Sequence, residues 1–451
     1  VMAAAADTAQ PFGRRGVCPA LSAPMRTGDG FLSRIAFEAD ISPREMVALC
    51  HLAERHGNGL IDITARGGMQ FRGLTPDSAI ALEKEVLALD LPLRHGLAIE
   101  TSPLAGRDDT EIVDARPLAA AIRREADRLQ LHEKLAAKMS VVIDGGGRLS
   151  LDGLLADIRL KAASLGGRTL WQLMLGGSQP KALRAGLIET HAAPDIVVSL
   201  LVHLAAQGPL ARGRDLDDAA TRSICGDRLL AGEIADQPTD TSLPLGLMTT
   251  GVDRFAVGIA PAFGQLPASD LAKLCEQANA LGIKTLRPSP NHSLLFFGPS
   301  TVCRDLLAVA GETGIITALG DARSSVAVCS GAPRCGSAFF PTHELAVFAA
   351  EECPSLLDGS FTLHISGCGK GCAHPGPALL TFSGTAEGLA FFISGRAGDV
   401  PNGILPFQHR RTALSRLARL YEKEHKPGEN AATFLARLGT GVIGAALRQD
   451  D

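Results

Sequence analysis

The chain has 451 residues, 46% hydrophobic and 20% charged, with a net charge of −4 at neutral pH. That length calls for about three compact units, and with 4% aromatics, one Trp and one Tyr, their cores must be mostly aliphatic and Ala-rich. No basic run is present, which argues against nucleic acid or an anionic membrane as the main partner, and the longest apolar stretch, IVVSLLVHLAA from Ile196, is too short and too interrupted to span a bilayer.

In chain order, the opening VMAAAADTAQPFGRRG lacks a basic region followed by an apolar one. Residues 1–17 therefore read as a mobile tail, and the expected compartment is the cytoplasm. From Leu32, the sequence LSRIAFEADISPREMVALCHLAERHGNGLIDITARGGMQFRG reads as strand, Pro-started helix, Gly-rich turn and strand, inside a first unit spanning 18–90. LRHGLAIETSPLAG then gives an Arg, a short strand and a small-residue loop, opening a longer mixed segment over 91–231. The polar, Pro-containing GEIADQPTDTSLPLG reads as a surface linker over 232–244.

The order then repeats. FAVGIAPAFGQLPASDLAKLCEQANALGIKTLRPSPNHSLLFFG, from Phe255, carries the same strand, helix and strand pattern in a second unit over 245–320. ARSSVAVCSGAPRCG follows it as LRHGLAIETSPLAG followed the first, opening a segment over 321–451. Cys50 and Cys275 fall inside the two helical patterns half a chain apart, so two related halves are expected.

Ten cysteines are present, and only the last group clusters. A disulfide framework is not expected in a large cytosolic chain. Cys329 and Cys335 form C-x5-C at the end of the β-rich SSVAVC, and Cys368 and Cys372 form C-x3-C at the end of FTLHISGC. Four thiolates delivered by two glycine-rich loops suit a [4Fe-4S] cluster or a structural zinc. Zinc favours C-x2-C knuckles and a redox pair needs CxxC, and neither spacing is present. Incidental thiols in a core are the bland alternative.

These residues carry a resemblance to the nitrite/sulfite reductase superfamily, through C-S-G-A-P-R-C and S-G-C-G-K-G-C-A-H-P on a chain with two ferredoxin-like units. It extends from about Cys18 to beyond Phe392. It implies an α+β fold of two pseudo-symmetric halves, each with a ferredoxin-like unit and a larger α/β companion domain. It also implies that Cys329, Cys335, Cys368 and Cys372 hold a [4Fe-4S] cluster, with Cys372 where the reductases bridge to sirohaem. Within the superfamily, GVCPALSAPMRTGDGFLSRI, LAAKMSVVIDGGG, DIRL and SGCGKGCAHPG resemble the branch of aerobic cobalamin biosynthesis. Enzymes of that branch are monooxygenases that use O2 to hydroxylate precorrin-3A at C20 and close a γ-lactone.

The branch also implies a mononuclear non-haem iron, for which His364, His374 and Cys18 are conceivable ligands, and NADH as ultimate electron donor. No strand-GxGxxG-helix unit is visible, since IDGGGRLSLDG leads into a turn pattern, so electrons are expected through a partner reductase or ferredoxin. The alternatives are a sirohaem-containing sulfite or nitrite reductase and a non-catalytic iron-sulfur electron carrier.

A macrocycle with eight carboxylates calls for converging cations. The expected substrate-binding residues are Arg26, Arg66, Gln70, Arg72, Arg94 and Lys138, with Arg107 a further cation and with Arg66 and Lys138 as candidate catalytic groups. Any one of these alone is more often a solvated surface charge. Arg66 and Gln70 stand out because T-x-R-x-x-x-Q-x-x-G recurs at the superfamily's tetrapyrrole. In the second half Asn291 or His292 falls near the Arg66 position, and that copy is expected to support the fold. The K-x-K pair of sulfite reductases is broken here, because Met139 and Ser140 follow Lys138.

Overall fold

The computed structural model describes residues 20–234 and 243–448. The expected tail over 1–17, Cys18 and most of the expected linker lie outside the described residues.

The first ferredoxin-like unit runs β1 (Met25–Thr27), β2 (Gly30–Ile35), α1 (Pro43–His56), β3 (Leu60–Ile63), β4 (Met69–Leu74) and α2 (Pro76–Leu87). Helix α1 starts where the sequence says it should: Ser42 caps it, Glu45 closes a capping box and Pro43 occupies the first turn. Next come β5 (Ala98–Thr101), α3 (Arg116–Arg128), the short α4 (Leu131–Lys134), β6 (Ser140–Asp144), β7 (Ile158–Leu165), β8 (Arg168–Leu175), β9 (Leu183–Glu189), α5 (Ala193–Gln207) and α6 (Asp218–Cys225).

The second half repeats this plan. Its ferredoxin-like unit comprises β10 (Gly246–Gly251), β11 (Arg254–Ile259), β12 (Gln265–Pro267), α7 (Ala268–Leu281), β13 (Thr285–Ser289), β14 (Ser293–Gly298) and α8 (Ser300–Glu312). Its companion comprises β15 (Val326–Val328), α9 (Thr342–Glu352), β16 (Leu363–Ser366), β17 (Ala378–Gly384), β18 (Leu389–Gly395), β19 (Gly403–Leu405), α10 (Arg410–Glu424) and α11 (Ala431–Arg448).

Strand order exposes the symmetry. The two small sheets read β1-β2-β4-β3 and β10-β11-β14-β13, and the two large ones β5-β6-β7-β8-β9 and β15-β16-β17-β18-β19. In each large sheet the first two pairings are parallel and the last two antiparallel.

The halves are interlocked. Strand β12 leaves its own unit and pairs with β3, extending the first small sheet. Helices α1 and α7 pack on each other, and a single hydrophobic core joins Met46, Leu49, Ile61 and Phe71 to Leu271, Leu274, Leu286 and Phe296. Cys50 and Cys275 are both fully buried in it, and burial pushes both thiols well up, which fits inert core residues. The matching hairpins also touch, with the Asn291 N–H donating to the Ala65 carbonyl at 3.0 Å. Among the described residues no helix is long and apolar enough to cross a membrane.

Candidate functional site

Strands β15 and β16 are parallel neighbours, so both cysteine loops leave the sheet at the same end. The Cys329 N–H donates to the Ile365 carbonyl at 3.3 Å, continuing the ladder one residue beyond β15. The Gly367 N–H then donates to the Cys329 sulfur at 3.0 Å, the contact by which backbone stabilises a thiolate. Gly331 has φ of +63° and its missing side chain leaves room for the Thr342 backbone, which a Cβ would approach to 2.6 Å. Thr342 donates its hydroxyl to the Cys329 carbonyl at 2.6 Å, and Lys370 ties the two loops by donating to the Ser337 hydroxyl at 2.7 Å.

Cys329, Cys335 and Cys368 are half-buried and Cys372 is exposed. Although Cys372 is exposed as a residue, its thiol is held above the usual range, by partial burial first and then by Cys329, Cys368 and Cys335, with Lys370 opposing. Cys372 thus lies within electrostatic reach of the other three sulfurs, and four thiols that share one neighbourhood would be stabilised as thiolates by a cationic centre between them. Among the described residues no three His, Cys, Asp or Glu converge tightly enough to hold a single metal ion. Four thiols carried by two neighbouring loop ends are the donor chemistry of an iron-sulfur cluster.

His364 lies beneath the second loop. Leu363 and Ile365 face the core, so His364 points to the opposite side of β16, where it is fully buried with no hydrogen-bond partner on either ring nitrogen. Burial first and the neighbouring His374 second lower it to about 4. The two rings are 5.7 Å apart. They do not gather a third ligand, so a mononuclear iron finds no ligand set among the described residues.

Across from the cysteine loops stands the polar face of the first small sheet. Ile61, Ile63, Met69 and Phe71 point into the shared core, which turns Asp62, Gln70 and Arg72 to the other face. Arg72, 3% exposed, forks onto Asp29 at 3.0 and 3.1 Å and reaches Asp62 at 3.1 Å. Burial works against its charge, but Asp62 and Asp29 outweigh it and hold the guanidinium above its ordinary value. Gln70 bridges Arg34 and Asp62 once its amide is oriented with nitrogen toward Asp62, at 3.0 Å. Gln265, on β12, donates to Asp62 and accepts from Arg334 of the first cysteine loop. That loop docks on the β1–β2 turn, where the Gly28 N–H donates to the Arg334 carbonyl at 2.9 Å and a Cβ on Gly28 would lie 2.4 Å from the Pro333 carbonyl. Gln70 and Arg72 are thus engaged with protein groups that brace the cysteine loop.

The remaining expected cations are spread around this framework. Arg66, in the β3–β4 turn, donates to the Leu155 carbonyl and lies 3.9 Å from Glu100. Arg94 pairs with Glu100 at 2.6 Å. Arg107 pairs with Asp40 and lies 4.1 Å from the centre of the Phe297 ring. Lys138 and Arg26 are exposed. The DIRL motif is a brace: Asp157 accepts a fork from Arg212 at 2.8 and 2.9 Å and backbone N–H groups from Ser140 and Gly213, and Arg159 is buried on the Leu151 carbonyl.

Sequence reasoning missed Glu100, Asp40, Arg123 and Arg287. Arg287 lies 3.9 Å from Asp40, and Arg123 pairs with Glu38 at 2.9 Å. Burial lowers Arg287 below its ordinary value while Asp40 and Glu100 oppose that. One signal was available: the half-chain spacing that relates Cys50 to Cys275 also carries Asp62 to Arg287. In the first half, the loops matching the two cysteine loops are joined differently, because Asp108 accepts the Arg148 N–H at 2.6 Å and its guanidinium at 3.3 Å.

Comparison with known proteins agrees with this fold. Residues 23–89 match the family model of the nitrite/sulfite reductase ferredoxin-like half domain. A precorrin-3B synthase from Sinorhizobium sp is 39% identical over 441 residues, covering 97% of this chain and 95% of the relative. A ferredoxin-nitrite reductase of Synechococcus elongatus is 22% identical over 82% of this chain and 80% of its own length. The solved structure of Mycobacterium tuberculosis NirA superposes with a TM-score of 0.73 at 18% identity, covering 93% of this chain and 85% of that one, which shows a shared fold.

Proposed function

Because the chain belongs to the precorrin-3B synthase family, we propose that it hydroxylates precorrin-3A at C20 with O2 and closes a γ-lactone from a ring acetate, in aerobic cobalamin biosynthesis. The observation that carries this reading is likeness to a synthase along nearly the whole chain, with the first cysteine loop docked through Arg334 on the Arg72-bearing face of the first small sheet.

On this reading Cys329, Cys335, Cys368 and Cys372 hold a [4Fe-4S] cluster, which when bound supplies single electrons. Incorporating one oxygen atom of O2 and reducing the other to water consumes two electrons and two protons. NADH provides both electrons and one proton through a partner reductase or ferredoxin, and solvent supplies the second proton. Arg66 and Arg94 bind ring carboxylates and orient the macrocycle. Arg72, Gln70, Gln265 and Arg334 hold the cysteine loop against the sheet so that the thiol edge faces the bound ring. Arg26 and Lys138, both exposed, add positive charge at the rim.

A sirohaem reductase is the second reading, favoured by the nitrite reductase relatives. It is disfavoured at position 140, where sulfite reductases place their second lysine and this chain has a buried Ser, 4% exposed, with no charge to offer an oxyanion.

The test is anaerobic purification with iron, sulfide and pigment analysis, then aerobic turnover. The synthase reading expects iron and sulfide without bound tetrapyrrole, and precorrin-3A gaining one oxygen atom. Stoichiometric sirohaem with sulfite or nitrite reduction would overturn it. Replacing any of the four site cysteines by Ser is expected to strip most iron and sulfide, whereas Ser at Cys50 or Cys275 leaves both in place; equal loss at all six positions contradicts the ligand assignment.

A further inference from the structure

Glu100 is an acid placed among cations that the proposed reaction needs for its substrate. It sits on β5 with its side chain 12% exposed, 2.6 Å from Arg94 and 3.9 Å from Arg66. The arrangement is not fully satisfied, since among the described residues the Arg66 Nη1 is buried without a hydrogen-bond partner while its Nη2 donates to the Leu155 carbonyl. Beside it the same pattern recurs: Asp40 faces both Arg107 and Arg287, Glu38 faces Arg123, and Arg107 also keeps a buried nitrogen without a partner. Five guanidinium groups from four separate stretches of chain therefore surround three carboxylates.

Partly buried guanidinium groups left without an anion are costly, so a face built to grip an external carboxylate needs an internal one when no ligand is bound. A ligand carboxylate presents the same two acceptor oxygens to the same forks and competes for them directly. We infer that Glu100 is an internal stand-in for a substrate carboxylate. Arg94 and Arg66 exchange its carboxylate for one on the incoming ring, and Glu100 thereby sets a threshold that ligands with few carboxylates do not cross. This rests on the tetrapyrrole reading above for the identity of the ligand.

The test uses the full-length protein and two probes, uroporphyrin III as a stable octacarboxylate macrocycle and benzenehexacarboxylate as a polyanion that is not a tetrapyrrole. Glu100→Gln is expected to bind uroporphyrin III about tenfold more tightly than the parent, as removal of a competing charge should. Glu100→Asp, which keeps the charge but shortens its reach, falls between. Arg94→Gln weakens binding about tenfold, and Glu100→Gln in that background recovers little, because the freed partner is gone. Glu125→Gln removes an exposed acid on α3 and leaves binding unchanged. Thermal unfolding midpoints confirm that each variant is folded. If Glu100→Gln binds neither probe more tightly, or if Glu125→Gln tightens binding equally, the stand-in is overturned. Tightening toward benzenehexacarboxylate, with uroporphyrin III bound by no variant, keeps the stand-in and sinks the tetrapyrrole reading instead.

Discussion

Glu111 shows how a single side chain reports on its surroundings. It is half-buried in the loop after β5, and its carboxyl is lifted to about 7, by burial first, while the Gly106 N–H at 2.7 Å opposes and Asp114 and Asp108 add to the rise. An unfolded Glu titrates near 4.3, so between there and about 7 the folded chain holds the extra proton. The stability this gives is complete below the unfolded value and is lost as pH rises through about 7. Glu111→Gln is accordingly expected to stabilise the protein by about 1–2 kcal/mol at pH 8, a figure reduced for solvent access, and to change little at pH 5. Urea unfolding at the two pH values measures this, and equal shifts at both would contradict it. At this scale the pairing of the two cysteine loops was legible because their spacing at two strand ends is itself a signal. Glu100 and Arg287 were not, because an isolated acid or arginine carries no mark of its partner, and Asp40 and Arg287 meet only after two ferredoxin-like units have docked.

Among the elements, the cysteine loop depends most on one backbone position. Gly331 needs φ of +63° and has the Thr342 backbone where a Cβ would go, so Gly331→Ala forces the loop off the start of α9. The expected result is a loss of about 1–3 kcal/mol in urea unfolding and at least half of the iron and sulfide. Retention of full iron with unchanged unfolding would show that the loop relaxes freely. The strand-helix-strand units were readable from their periodicity, and the start of α1 also from Pro43. Strand β12 was not, because three residues, Gln265–Pro267, set no period of their own and pair only with a strand from the other half. The sequence phrase DIRL pointed to the right family for a reason that periodicity does not reveal, since its Asp157 is a junction for Arg212, Ser140 and Gly213.

At the scale of the whole molecule the repeat was visible but its consequence for stability was not. One core runs through α1 and α7, so neither ferredoxin-like unit can bury its apolar face alone. A fragment ending at residue 234 is therefore expected to aggregate or lack cooperative unfolding when expressed by itself. Co-expressed with a fragment starting at residue 243, it should co-purify and unfold cooperatively. Cooperative unfolding of either fragment alone would refute the interlock.

The Asp108–Arg148 pair occupies, in the first half, the place that the cysteine loops take in the second. Two matched scaffolds thus carry unmatched fittings, one a set of thiols and one a salt-bridged clasp. If the thiols hold the cluster proposed above, reconstitution with iron and sulfide is expected to saturate at a single cluster per polypeptide, so that twofold architecture does not become twofold valence.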